Sequence, residues 1–421
     1  MSSASTCYTS DHLELSDFLI YPEFLGLTED VTCYRAEGYH PVKIGDVLGG
    51  AGPSSLQSRY PTRSPARYRI MHKLGFGGYA TVWLAQSLDA SGAFVALKIT
   101  TGWGQRNAEA GMLEEANAGY DGPQSSHVLG LHDRFEVSGP NGTHAVLVTD
   151  IVVPFLSLKY APLSPRWRKA AAYGLVKGLA QMHRAGIVHG DFHLGNAGVA
   201  VPQLSTLSQE EIMQELRDPD ITVILTADPA KQSPALPPYI VTPCNLAEFY
   251  LKIIGNADPH TKVLDLGNAR RVGTMQPTWS CAVEACAPEV SFARFGEGKE
   301  GIAATKEADI WALGATIYEL LTKAPLFHGI GHKAIIERAC NMAGYVPPMW
   351  QAWWDSNDHL TLTNDAETYW LQSREYICQG CVDDEDTDAA ICLLRRILTL
   401  DPSARPSCED ILQDPWFRDI A

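Results

Sequence analysis

Short runs of apolar and β-branched residues dominate the chain between residues 68 and 153, and they predict strands. Tyr68–Leu74, Ala80–Gln86 and Phe94–Thr100 are such runs, separated by turns that contain glycine. His144–Val153 is a nearly continuous apolar run, which is typical of a buried strand. The good helix formers of Ala108–Ala118 predict one helix among these strands.

The rest of the chain has a different pattern. Helical spacing of apolar residues begins with Arg166–Ala185 and continues towards the carboxy terminus, except in the Pro-rich, loop-like segment 201–260. Residues 1–38 are weakly periodic, and Gly49–Pro65, which is rich in Gly, Ser and Pro, predicts a linker. A length of 421 residues allows two or three domains or one large bilobal unit.

Composition and charge narrow the functional classes. With 45% hydrophobic and 19% charged residues, the chain is neither wholly disordered nor fibrous. The net charge of −16 argues against direct binding of nucleic acid, which needs a basic surface. It is compatible with a basic partner, and equally with a simple contribution to solubility.

The cysteines and the amino terminus bear on the cellular environment. Ten scattered cysteines in a long chain indicate reduced thiols, and the lone pair Cys378 and Cys381 does not predict a zinc site. Acidic Asp11, Glu14 and Asp17 stand where a signal peptide needs a basic start, and no run reaches the ~18 apolar residues of a membrane span. We expect a protein without a membrane segment, located in the cytoplasm, the nucleus or both.

A glycine-rich turn, Leu74–Val82, lies between two predicted strands. Gly75 and Gly77 allow the backbone to approach a phosphate group, although an ordinary hairpin turn explains the glycines equally well. Lys98 on the predicted strand 94–100 favours phosphate binding, because a lysine on an apolar strand is costly unless its charge is used. A dinucleotide-binding fold is excluded because its glycines would open a helix.

Lys98 needs an acidic partner. Glu109 lies on the predicted helix, with apolar residues three and four positions later. This spacing favours Glu109 over Glu114 and Glu115, although an ordinary solvated glutamate is the alternative.

Two polar loops suggest phosphoryl transfer. Asp191 and Asn196 stand five residues apart in a loop after a helix, where an Asp can orient a hydroxyl group and an Asn can hold Mg²⁺. Asp265 follows an apolar strand and precedes Gly267 by two residues, as suits a Mg²⁺ ligand. Further along, Glu289 and Arg405 are expected to form a buried ion pair that belongs to the scaffold.

The order of these motifs resembles the eukaryotic protein kinase fold from about Tyr68 to Phe417, and within it the SR-protein kinase (SRPK) group, more closely its compact fungal members. Four segments carry the closer resemblance: Glu37–Asp46, Ala80–Leu84, Asn141–His144 and Asp265–Ala269, the last with Asp-Leu-Gly in place of Asp-Phe-Gly. The long interval between the catalytic loop and the metal aspartate resembles the insert of that group.

The resemblance implies an α+β, bilobal protein-kinase fold with a small five-stranded lobe containing one main helix and a large, mostly helical lobe. It implies an extension and linker at 1–66, a small lobe at 67–153, and a large lobe at 154–421 with a shortened spacer insert at 200–260. The implied function is that of a monomeric serine/threonine protein kinase that uses ATP and Mg²⁺ and acts on a protein substrate, Arg/Ser-rich or otherwise basic.

The resemblance also implies the site residues. Asp191, Lys98, Glu109 and His193 are the catalytic candidates, and Asn196 and Asp265 are the metal ligands. The residues expected to bind the nucleotide, with Thr149 as gatekeeper, are Leu74, Gly75, Phe76, Gly77, Gly78, Tyr79, Ala80, Val82, Ala96, Lys98, Thr149, Asp150 and Val152.

Several positions depart from the kinase pattern. Gly190 replaces an Arg that grips a phosphorylated activation segment, so activation by phosphorylation is not expected. His193, Ala282 and Cys286 replace a Lys, a Thr and an Arg, which leaves a pseudokinase scaffold as an alternative. Segment 325–333 lacks the acidic cluster that docks Arg/Ser-rich substrates in the group, so that substrate class stays open.

A small-molecule phosphotransferase of the aminoglycoside or choline type is the third alternative, because its catalytic loop resembles His189–Asn196. Those enzymes lack the Ala-Pro-Glu and Asp-x-Trp-x-x-Gly elements that this chain contains at 287–289 and 309–314.

Overall fold

The computed structural model describes residues 13–22, 26–50, 66–89, 91–102, 108–122, 125–255, 257–276, 281–294, 301–328, 331–363 and 365–420. The strands are β1 (Phe18–Ile20), β2 (Val47–Gly49), β3 (Arg67–Gly77), β4 (Ala80–Ser87), β5 (Phe94–Thr100), β6 (Leu131–Gly139), β7 (Gly142–Thr149), β8 (Val152–Pro154), β9 (Ile187–Val188), β10 (Ala197–Ala200), β11 (Ile221–Val223), β12 (Leu225–Thr226), β13 (Tyr239–Val241), β14 (Thr261–Val263), β15 (Arg270–Arg271), β16 (Met275–Gln276) and β17 (Ile302–Ala303). The α-helices are α1 (Ala108–Ala116), α2 (Phe155–Leu158), α3 (Pro165–Arg184), α4 (Gln209–Leu216), α5 (Leu246–Ile253), α6 (Pro288–Ala293), α7 (Lys306–Thr322), α8 (His332–Ala343), α9 (Gln351–Asp355), α10 (Ala366–Ile377), α11 (Asp384–Ile397) and α12 (Cys408–Leu412).

The chain divides into two compact units. Unit 1 takes its residues from 1–110, 131–151 and 201–252, and unit 2 from 111–130, 152–200 and 253–421. Most of the predicted linker, residues 51–65, lies outside the described residues.

An antiparallel sheet with the order β2-β3-β4-β5-β7-β6 forms the centre of unit 1. It has six strands rather than the predicted five. The additional strand, β2, comes from the segment assigned to the extension and pairs with β3 across residues 51–65. A strand of three residues is too short to show a periodicity, so only its pairing identifies it.

The buried face of this sheet carries large apolar side chains, among them Ile70, Trp83, Leu97 and Val146. Val241 of the insert belongs to the same cluster. Burial of this kind stabilises the sheet by roughly 1.5–3 kcal/mol for each large apolar side chain. The sheet is therefore a rigid platform for the residues that the sequence assigned to nucleotide binding.

The insert differs from its prediction. The sequence assigned 200–260 to the large lobe as loops, whereas residues 201–252 pack in unit 1 and contain helix and strand. Strand β12 pairs with β1 of the amino-terminal segment, and β11 pairs with β13. Phe18, Tyr34 and Tyr39 share a buried cluster with Ile224 and Ile240. The β1–β12 pair and this cluster join residues about 200 positions apart, so no local pattern reveals them.

Unit 2 is mainly helical, and its helices have the expected terminal signals. Ser164 caps α3 by accepting a hydrogen bond from the Trp167 amide at 3.2 Å, and Pro165 occupies the first helical position. Helix α7 is buried on nearly all sides, as suits a helix that is apolar all round. Among the described residues, no helix combines the length and apolar character needed to cross a lipid bilayer.

The predicted scaffold ion pair is present in unit 2. Arg405 donates to both carboxylate oxygens of Glu289, at 2.7 and 2.8 Å, and also to the carbonyl of Glu307 at 2.8 Å. A bidentate pair of this kind fixes direction as well as distance. The Glu289–Arg405 pair therefore anchors the end of the segment between Asp265 and Glu289.

Candidate active site

The glycine-rich turn of unit 1 is an open hairpin. Gly77 pairs with Ala80 at the closed end of β3 and β4. A Cβ atom added to Gly75, Gly77 or Gly78 would meet nothing within 4 Å. These glycines are therefore not required for internal packing, and space for a ligand exists over the backbone.

The sheet register brings several predicted nucleotide-binding residues together. Val82 lies opposite Lys98 on the neighbouring strand, and Ala96 lies opposite Thr149. Thr149 is buried at the end of β7. The remaining predicted residues of the hairpin, Leu74, Phe76, Gly78 and Tyr79, line the same turn, with Tyr79 exposed.

The two residues that follow β7 have different surroundings. The Asp150 carboxylate lies 2.8 Å from Nε2 of His132 in unit 1. Val152 begins β8 in unit 2, where it pairs with Ala200. The structure thus places Asp150 and Val152 in different units, each with contacts of its own.

Lys98 and Glu109 form the ion pair that the spacing predicts. The Lys98 Nζ atom lies 2.8 and 2.9 Å from the two carboxylate oxygens of Glu109, which is only 8% exposed. Glu115 instead contacts Arg271, at 2.8 Å, and Glu114 is exposed. Glu109 therefore holds the lysine ammonium group above the sheet with charge-assisted hydrogen bonds.

A strand pair in unit 2 brings the two predicted metal ligands together. Ala197 of β10 pairs with Val263 of β14, and the Leu264 amide donates to the Asn196 carbonyl at 2.8 Å. Asn196 precedes β10 and Asp265 follows β14, so both lie at one end of this antiparallel pair. Asp265 is exposed and has a left-handed backbone, with φ 54° and ψ 74°, a conformation that costs energy and clusters at functional sites.

The carboxylate of Asp191 is held in one direction by two donors. The backbone amide of Ala282 donates to Oδ1 at 2.9 Å, and the side-chain amide of Asn268 donates to Oδ2 at 3.2 Å. Asn196 donates to the Asp191 carbonyl at 2.9 Å. Sequence reasoning missed Asn268 and the amide of Ala282; the only sequence signal for Asn268 is its place directly after Asp-Leu-Gly.

Asp309 is a second residue whose role the sequence did not reveal. Its buried carboxylate accepts from the amides of His189 and Gly190, at 2.7 and 2.9 Å, and lies 3.0 Å from Nε2 of His183. These contacts fix the backbone directly before Asp191. In the sequence, Asp309 was recognisable only as the first residue of the Asp-x-Trp-x-x-Gly element, because its partners are about 120 residues away.

His193 lies beside Asp191, with Nε2 3.9 Å from the carboxylate. Burial lowers the pKa of His193 below 6.5, although the charge of Asp191 opposes this shift. Its Nδ1 atom accepts a hydrogen bond from the Gly195 amide at 3.0 Å, so the neutral ring carries its proton on Nε2. At pH 7 His193 therefore offers a hydrogen-bond donor without a positive charge.

The chemistry of these groups suits ATP and Mg²⁺. Asn196 and Asp265 supply the oxygen ligands that Mg²⁺ prefers, and a magnesium site in phosphoryl transfer needs only one or two protein ligands beside the phosphates. The described residues contain no cluster of three or more His, Cys, Asp or Glu that would hold a metal ion by itself. The open glycine hairpin and Lys98 offer amides and one cation to phosphate oxygens.

Comparison with known proteins gives concordant results. Residues 252–417 match the family model described as protein kinase domain. A serine/threonine protein kinase of Aspergillus fumigatus is 25% identical over 403 residues, which cover 90% of this chain and 87% of that protein. SRSF protein kinase 3 of Homo sapiens is 32% identical over 131 residues, 30% of this chain and 20% of that protein. Serine/threonine-protein kinase SKY1 of Saccharomyces cerevisiae is 29% identical over 195 residues, 43% of this chain and 24% of that protein.

The relatives that span most of this chain are serine/threonine protein kinases. Unit 1 contains a lysine–glutamate pair, and unit 2 contains aspartates, of the kinds that phosphoryl transfer needs. Residues 252–417 match the protein kinase domain, and the chain is a protein serine/threonine kinase.

Proposed function

We propose that this kinase is an SRPK-like enzyme that uses ATP with Mg²⁺ and phosphorylates serine or threonine in basic proteins. The observation that carries the substrate class is a pocket beside the catalytic loop that contains carboxylates. The names of the human and yeast relatives support the group. The net charge of −16 is compatible with a basic substrate.

The contacts of the catalytic groups support a role for each of them. Lys98, oriented by Glu109, binds the phosphates of ATP. Asp191 orients the acceptor hydroxyl and takes up its proton. Ala282 and Asn268 already fix the direction of its carboxylate, as this role requires. Asn196 and Asp265 would hold Mg²⁺, which would neutralise phosphate charge when it is bound.

The pocket has a volume of about 250 Å³ and lies entirely within unit 2. Its lining includes His193 of the catalytic loop, Glu284, Glu319 and Lys159. Lys159 forms an ion pair with Glu319, so Glu284, which is exposed, is the carboxylate without that neutralisation. A basic side chain near the acceptor hydroxyl would gain favourable electrostatic energy there.

The test uses serine peptides of equal length flanked by Arg, Lys, Gln or Glu, with MgATP and the full chain. We expect phosphorylation of the Arg and Lys peptides, and a 3- to 10-fold higher KM for them in Glu284→Gln, as suits one partly screened charge. Glu375→Gln, an exposed glutamate elsewhere in unit 2, is the matched control and should change nothing. Equal use of the Gln and Glu peptides would contradict the basic substrate.

Two further comparisons test the enzyme itself. Asp191→Ala should abolish transfer to every peptide, which separates this enzyme from a contaminating kinase. Because Gly190 stands where a phosphate-gripping Arg is expected, phosphatase treatment should leave the rate unchanged. A large rise in rate after phosphorylation of Thr274, Thr278 or Ser280 would contradict that expectation.

A further inference from the structure

Two cysteines of the segment between Asp265 and Glu289 lie in direct contact. The sulfur atoms of Cys281 and Cys286 are 2.7 Å apart. The short turn Val283–Ala285 separates them along the chain and brings their side chains to the same side. Both are free thiols in the structure.

The surroundings of the two sulfurs differ. Cys286 is 2% exposed, whereas Cys281 is partly exposed and lies 3.9 Å from the guanidinium group of Arg294. The hydrogen bond with Cys286 lowers the pKa of Cys281, and the charge of Arg294 acts in the same direction. A thiol of this kind reacts as thiolate, while its neighbour supplies a second thiol to complete a disulfide.

There is also room beside the sulfurs. A small cavity of about 20 Å³ is lined by both cysteines, Gly190 and Phe192. This volume admits about one water-sized molecule. Gly190 and Phe192 belong to the catalytic loop, so the cavity borders that loop.

We propose that Cys281 and Cys286 form a redox modification site whose oxidant is a hydroperoxide. The Cys281 thiolate attacks the peroxide, the O–O bond breaks, and the products are a sulfenic acid and, after proton uptake, water or an alcohol. The Cys286 sulfur then attacks the Cys281 sulfur; the S–S bond forms, the S–O bond breaks, and hydroxide leaves with the Cys286 proton as water. The two thiols are oxidised by two electrons, and the peroxide is reduced by the same two.

The modification acts on catalysis through Ala282, the residue next to Cys281. Its amide donates the 2.9 Å hydrogen bond to Asp191 Oδ1. A disulfide requires a separation of about 2.05 Å, so the sulfurs move together by roughly 0.6 Å. The Glu289–Arg405 pair anchors the chain three residues after Cys286, so the shift falls mainly on Cys281 and Ala282. We expect kcat to fall roughly tenfold, since small displacements of catalytic groups reduce rate strongly.

The experiment follows the thiols and the rate separately. The reduced full chain is treated with graded hydrogen peroxide, blocked with iodoacetamide and digested with trypsin. Both cysteines lie in one tryptic peptide, residues 272–294, because no Lys or Arg stands between Arg271 and Arg294. A disulfide therefore appears as one peptide that is 2 Da lighter and carries no label. Cys378 and Cys381, the Cys-x-x-Cys pair, are the internal control.

The expected result is that the 272–294 disulfide forms before any change at Cys378 or Cys381, that kcat falls in proportion, and that dithiothreitol restores both. Cys281→Ser and Cys286→Ser should each prevent the disulfide and keep kcat independent of peroxide, each compared with its own reduced state. Labelling of both thiols after other cysteines have oxidised would overturn the site, and a disulfide that leaves kcat unchanged would overturn its effect. The peptide mass needs no activity, so a failure of the proposed function is distinguishable from a failure of this site.

Discussion

Asp309→Asn is the most demanding test of how the catalytic loop is held. The Asp309 carboxylate accepts three hydrogen bonds, of which those from His189 and His183 reach one oxygen and that from Gly190 reaches the other. An Asn has one acceptor oxygen, so in its better orientation it keeps two weaker, neutral bonds and turns an N–H towards the Gly190 amide. Hydrogen bonds to a charged group contribute about 1.5–3 kcal/mol each and neutral ones about 1 kcal/mol.

The net loss is therefore about 2.5–7 kcal/mol of unfolding free energy, a large part of the 5–15 kcal/mol typical of folded domains. We also expect kcat to fall about 100-fold, because the freed backbone directly precedes Asp191. Urea denaturation and steady-state kinetics measure the two effects. Asp365→Asn is the control: it caps α10 by accepting from the Thr368 amide at 2.8 Å, and Asn caps a helix equally well. Unfolding within 1 kcal/mol of the wild type and an unchanged kcat in Asp309→Asn would refute the reasoning.

Three further predictions concern unit 1. Lys98→Met should reduce phosphoryl transfer at least 100-fold, because binding of the ATP phosphates depends on this charge, while the melting temperature should stay within a few degrees of the wild type, because the fold does not. Unchanged turnover would show that another group binds the phosphates. Tyr39→Phe removes the 2.9 Å hydrogen bond to the Gly77 carbonyl, worth about 0.5–1.5 kcal/mol, and should raise the KM for ATP about 3- to 10-fold. Tyr34→Phe is the control, because the Tyr34 hydroxyl lies in the same buried cluster but does not contact the hairpin, and it should leave this KM unchanged. Equal KM values for the two variants would contradict this role of Tyr39. Burial lowers the pKa of His40 from 6.5 to about 4, so between pH 6.5 and about pH 4 only the unfolded chain takes up this proton. Urea denaturation should therefore show a loss of about 1.4 kcal/mol of unfolding free energy for each pH unit over this range, and His40→Phe should not show this loss.

Much of the local structure was predictable. The sequence predicted strands at 80–86 and 94–100, and the structure has β4 at Ala80–Ser87 and β5 at Phe94–Thr100. Continuous apolar runs bounded by glycine specify such strands locally. Strand β6 was not predicted, because Leu131–Gly139 is largely polar and has only one buried residue. It forms only because β7 offers a complete edge for pairing.

The contacts of the candidate site were likewise predictable only where they are local in the sequence. The spacing within α1 predicted that Glu109, and not Glu114 or Glu115, faces Lys98, because helix periodicity is local information. The contacts of Asp309 and Asn268 with the catalytic loop could not be predicted, since they join distant parts of the chain.

The sequence by itself determined the kinase motifs, their order and the ion pair Lys98–Glu109, because residue type and local spacing encode them directly. The pair Glu289–Arg405 was expected from the kinase motifs that contain these residues, not from spacing, since the two are 116 residues apart. The tertiary structure alone decided three features: the insert packs with the amino-terminal segment in unit 1, Asp191 is held by Ala282 and Asn268, and Cys281 touches Cys286. The first two depend on contacts between residues far apart in the chain, and the third depends on the shape of one short turn. The periodicity of hydrophobic and polar residues does not encode such contacts, because they form only when the whole chain has packed.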